Sequence, residues 1–182
     1  MLSRVLVAGA LLALTACTGG AEQASGGGPP DVVTTPSAQL PPGLALGEPA
    51  QVAYAAPDGP TTLQVTVSAI ERGDPADLGE LELPPGQAAG TPFYVQATIV
   101  NAGELDLSLE DPARRLAGLD DRGGYIPSVV IRTRFRPCDY VAAPEGFPPG
   151  DSFDTCVTYV VPDGGALAGV QWEGSPPVRW RG

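Results

Sequence analysis

Arg132, Arg134 and Arg136 alternate along the stretch Val129-Val130-Ile131-Arg132-Thr133-Arg134-Phe135-Arg136. If that stretch is a strand, the three guanidinium groups share one face at a spacing of about 6.6 Å. A guanidinium is a planar, permanently charged fork of N–H donors that fits a phosphate or a carboxylate with two parallel bonds. The chemistry within reach is therefore an anion contact, with phosphate headgroups or an anionic envelope polymer as the partner class. The plainer reading is a solvated sheet face whose arginines pair with acids on neighbouring strands. Exposed pairs of that kind contribute little to stability.

The rest of the composition narrows the chemistry further. The 182-residue chain holds 21 acidic and 10 basic residues, for a net charge of −11. All ten basic residues are arginine, and the chain has neither lysine nor histidine. No imidazole base or ligand exists, and no lysine is available for Schiff-base or phosphate-loop chemistry. The acidic balance excludes a nucleic-acid binder, which needs a basic face for phosphate contacts. Serine hydrolysis lacks its histidine and any Gly-x-Ser-x-Gly elbow. Paired carboxylates could support glycoside hydrolysis, but no pair stands out by spacing or apolar setting. Zinc would need more ligands than the cysteines supply. Copper is disfavoured because the only methionine is Met1. No cofactor is implied.

Other candidates are weaker. Asp74, Asp77, Glu80 and Glu82 form an acidic run, but their spacing fits no calcium loop. A solvated loop is expected there. Asp120-Asp121 reads as turn chemistry. Tyr140, Trp172 and Trp180 could line an aromatic patch or belong to a core. Trp180, near the C-terminus, is the candidate aromatic contact, because an exposed tryptophan often marks a binding surface.

The elements that would position these residues begin with an address. Arg4 precedes an apolar run, Val5 to Leu14, and small residues follow it. That order describes a secretory signal peptide, and the run is too short to span a bilayer. Leu14-Thr15-Ala16-Cys17 resembles the lipobox of bacterial lipoproteins. The resemblance implies cleavage after residue 16, a lipidated Cys17 and a stable membrane anchor from two or more acyl chains. Losing residues 1–16 would remove Arg4 and leave 9 arginines against 21 acids, or −12. Thr18 to Gly43 has 6 glycines and 5 prolines in 26 residues, too little apolar surface to order itself. It is expected to be a flexible tether, so that residues 17–43 hold residues 44–182 off the membrane.

Period-two alternation dominates residues 44–182. It marks strands at Leu63 to Ala69, Phe93 to Ile99, Leu105 to Leu109, Val129 to Phe135 and Phe153 to Val161. Turn signals separate them, among them Pro57-Asp58-Gly59-Pro60 and Pro148-Pro149-Gly150. No segment sustains a helical period, and Asp111 to Leu119 suggests one turn at most. Such a series reads as an all-β, antiparallel β-sandwich.

Four pieces in order strengthen this reading. They are Leu63-Gln64-Val65-Thr66-Val67, Phe93-Tyr94-Val95 running to Val100-Asn101-Ala102-Gly103, Leu119-Asp120-Asp121 with Gly123-Gly124-Tyr125, and Pro148-Pro149-Gly150 before Val160-Val161-Pro162. Together they resemble the immunoglobulin-like domains of bacterial secreted and lipid-anchored proteins. The resemblance implies an immunoglobulin-like fold and no catalytic residues. The insert Gly73 to Gly90 and the tail Gly174 to Gly182 depart from that family's compact pattern.

With Cys17 assigned to lipid, Cys138 and Cys156 remain. An even number outside the cytoplasm points to a disulfide. The expectation is thus a lipid-anchored, non-catalytic surface domain that binds an envelope protein or an anionic polymer. A spacer without a specific ligand is the alternative, and a carboxylate-dependent hydrolase a lesser one.

Overall fold

Alternation builds the two sheets, because every second side chain of a strand points to the same side. The computed structural model describes residues 43–84, 87–162 and 165–182. The signal peptide, Cys17 and the tether up to residue 42 lie outside the described residues.

One sheet is antiparallel with the order β2-β3-β4-β7. Its strands are β2 (Pro49–Ala56), β3 (Gly59–Arg72), β4 (Thr91–Asn101) and β7 (Ser152–Val161). Inward they present Val52 and Tyr54, Leu63 to Val67, Phe93 to Ile99, and Val157 to Val161, at alternate positions. The register slips between Val67 and Ala69. Such a bulge reverses the faces, so Ile70 rather than Ala69 packs on the core beyond it. Pro57 and Asp58 join β2 to β3, with Ala56 opposite Gly59. Gly59 has a φ of 134°, a conformation that favours glycine.

The other sheet has the order β1-β9-β8-β5-β6. Its strands are β1 (Leu44–Ala45), β5 (Leu116–Leu119), β6 (Tyr125–Ile126), β8 (Gly169–Trp172) and β9 (Val178–Arg181). Neighbours are antiparallel except β1 and β9, which run parallel. Leu116, Val170, Trp172 and Trp180 face the first sheet and close the core. The described residues form an all-β sandwich of the immunoglobulin-like kind.

Two expected strands are absent. Leu105 to Leu109 is irregular. The Asn101 side chain donates to the carbonyls of Leu105 and Phe147, and the Leu107 N–H donates to Phe147 O at 3.1 Å. One leucine, Leu107, is buried there, while Leu109 turns outward with φ 63°. Val129 to Arg136 is not a strand either. Ser128 bridges to Tyr159 and the Val129 N–H donates to Thr158 O at 2.8 Å, covering the free edge of β7. The chain then leaves that edge, and Cys138 sits in a turn.

Candidate anion-binding surface

Past Val129 the chain crosses to the outer face of β4 and β7 because its apolar residues have a second place to go. Tyr94 and Cys156 point outward from those strands. With Phe135 and Cys138 they form a small buried cluster separate from the main core. The Tyr94 and Phe135 rings meet edge to face at 5.8 Å. Cys138 and Cys156 are joined as a disulfide with Cα atoms 5.2 Å apart. Ile131 packs against the same cluster. The arginines alternate with these anchors, so Arg132, Arg134 and Arg136 all point to water.

The shared face expected of a strand is therefore corrected: the arginines lie on an irregular loop, and anchoring by Ile131, Phe135 and the disulfide turns them outward. The sheet-face pairing with neighbouring acids does not form. Arg134 alone approaches a carboxylate, Asp139 at 3.9 Å, with both side chains largely in solvent. Among the described residues Arg132 and Arg136 form no ion pair.

The acidic insert meets this loop. Pro75–Glu80 is a short 3-10 helix capped by its own acids. Asp74 accepts from the Ala76 N–H at 2.9 Å and Asp77 from the Asp74 N–H at 3.2 Å. The Tyr94 hydroxyl also donates to Asp77, at 2.8 Å. Burial, then this bond, pushes the Tyr94 phenol above its usual pKa. Leu78 is buried and Leu81 packs on the Tyr94–Phe135 cluster. Leu81–Leu83 and Val130–Thr133 thus wall a groove of about 430 Å³, with Glu82 on one wall and Arg132 on the other. Nothing local in the sequence ties the insert to the arginines. The missed signal was the apolar series Leu78, Leu81 and Leu83 inside an acidic stretch.

Trp180 is not an exposed contact. It is fully buried, and its indole N–H donates to Glu48 O at 2.8 Å. Strand β9 delivers it to the core, a placement hidden by the short Val-Arg-Trp-Arg pattern. Trp172 is buried likewise and donates to Ala53 O at 3.2 Å. Tyr140 is half-buried and donates to Asp111, whose other oxygen holds Arg114. The adjacent Glu110 accepts from Tyr54 at 2.7 Å. These neighbouring carboxylates each anchor a tyrosine. Asp120 serves its turn, accepting from the Arg122 and Gly124 N–H groups at 2.9 and 2.6 Å. Among the described residues no three His, Cys, Asp or Glu side chains converge on a metal position.

No protein-family model matches this chain. No curated protein matches it either. Among solved structures it is similar to MPT63, a secreted protein from Mycobacterium tuberculosis. The TM-score is 0.53 at 15% identity, over 79% of this chain and 98% of that one. At that identity the likeness shows the fold: both are β-sandwiches.

Proposed function

We propose that the chain is an exported lipoprotein, anchored through Cys17, whose sandwich domain binds an anionic envelope polymer through Arg132, Arg134 and Arg136 without catalysis. One observation carries the reading: three guanidinium groups stand in water on a loop pinned by a disulfide and a buried phenylalanine. Pinning lowers the ordering cost of binding. The weakly engaged donors leave their forks free for phosphate or carboxylate. The whole chain carries −11 with these three arginines counted, so the remainder carries −14 and disfavours polyanion contact away from this loop. Export is supported by the signal-like N-terminus and the disulfide, and the sandwich is of a kind found in a secreted protein.

The test is binding of a poly(glycerol phosphate) polymer to the full chain and to a variant with all three arginines changed to alanine. Wild-type affinity should fall steeply with salt as counterions are released. The variant should lose at least tenfold at low salt. Equal binding by both would remove the arginines from the function. Crosslinking in intact cells to one envelope protein, lost in the same variant, would replace the polymer by a protein partner. No ligand in either assay would leave a spacer. An intact mass of the membrane-extracted protein that shows no acyl chains on Cys17 would overturn the anchor.

A further inference from the structure

Resting on the anion reading above, we infer that the anion held at Arg132 carries an aliphatic chain: the ligand is a phosphate-bearing amphiphile, with its chain in the groove between Leu81–Leu83 and Val130–Thr133. An anion site alone needs no apolar neighbours, yet Arg132 stands directly beside four aliphatic side chains. Leu81 and Leu83 form one wall, and Val130 and Ile131 the other. The volume of about 430 Å³ lies within the roughly 300–1,000 Å³ typical of small-molecule sites.

Val130 and Ile131 also line a second, tighter hollow of about 40 Å³, together with Val129 and Val157. The two hollows share these residues, and Val130 is 59% exposed. A large aliphatic side chain left in water beside a concave surface, as Val130 is, gains by being covered. The charges fix how a ligand would lie. Arg132 makes no ion pair among the described residues, whereas Arg114, at the second hollow, is held by Asp111. The free donor fork is therefore on the groove side. Glu82 on the facing wall offers a carboxylate that can accept from a hydroxyl group of the ligand. A phosphate flanked by an aliphatic chain and a hydroxylated unit satisfies all of these features. A polyanion without a chain, or an alkane without a charge, satisfies half of them.

The probes are dihexanoyl phosphatidic acid held below micelle formation, glycerol phosphate, and phosphatidylglycerol vesicles. The protein is the expected mature chain, residues 17–182, carrying Cys17→Ala so that neither an acyl chain nor the apolar leader competes for the groove. Monomeric dihexanoyl phosphatidic acid should bind at least tenfold more tightly than glycerol phosphate. Val130→Asn, an uncharged change on an exposed position, should remove most of that advantage and leave glycerol phosphate binding within about twofold. Leu83→Gln is the second variant and should do the same. Equal affinity for the two soluble probes would overturn the groove and leave the arginine reading standing. Binding to vesicles without binding to the monomer would also overturn it, by reducing the contact to surface attraction. Failure with all three probes and with poly(glycerol phosphate) would bring down the anion reading itself.

Discussion

Phe135 meets Tyr94 edge-on across the outer face of the four-stranded sheet, with ring planes at 67°. That contact decides where the arginines go, because Arg134 and Arg136 flank the buried ring and must point away from it. Removing the ring should act on stability and on binding together. Phe135→Ala should cost about 3 kcal/mol, the lower end for a buried phenylalanine, since the cluster is small. Urea unfolding would read it, with the poly(glycerol phosphate) affinity falling in the same variant. Unchanged affinity would mean that the disulfide alone holds the loop.

The disulfide can be separated from the ring. Cys138 and Cys156 are 18 residues apart. Closing a loop of that length contributes about 3 kcal/mol in the chain-entropy model. A Cys138→Ser, Cys156→Ser double variant should lose close to that in guanidinium unfolding. A loss near zero would place the constraint in the folded packing rather than in the unfolded chain.

Alkaline stability should depend on tyrosines. Tyr54, Tyr94 and Tyr140 donate to Glu110, Asp77 and Asp111. Burial first, and the carboxylate bond second, raises each phenol above its ordinary pKa near 10. The folded chain therefore keeps protons that the unfolded chain has released. Their stabilisation is complete below about pH 10 and is lost as pH rises above it. The chain has no lysine or histidine to confuse the titration. Urea midpoints should be level from about pH 7 to 9 and decline above pH 10. Tyr140→Phe should make that decline shallower, and an unchanged slope would remove Tyr140 from the account.

Long strands with one apolar face were legible because periodicity is a local property. β3, β4 and β7 follow the alternation of Leu63, Phe93 and Phe153 onward. β2 was obscured because Ala53 and Ala55 face water while counting as apolar. β8 and β9 are four residues each, too short to show a period. The candidate site was half legible. Residue types named Arg132, Arg134 and Arg136, but their outward direction comes from Phe135 and Cys138 meeting Tyr94 and Cys156. Those contacts are distant in sequence, and no local pattern encodes them. The groove needed two such segments, one from the insert and one from the loop.

Leu109 offers the sharpest local test. Its φ is 63°, a left-handed conformation, and its side chain is 70% exposed. That conformation costs a non-glycine residue about 1–2 kcal/mol, and asparagine tolerates it best. The backbone is held there because the Leu109 N–H donates to Pro144 O and the Ala143 N–H donates to Glu110 O, at 3.1 and 3.0 Å. The side chain itself gains nothing from the arrangement. Leu109→Asn should therefore raise stability by about 0.5–1 kcal/mol. Leu109→Gly should gain less, since glycine also frees the unfolded chain. Leu109→Val should lose stability, because a β-branched side chain fits this conformation worst. Urea midpoints of the four proteins, at constant slope, give the order Asn, Gly, Leu, Val. An asparagine variant less stable than wild type would overturn the assignment of backbone strain to Leu109.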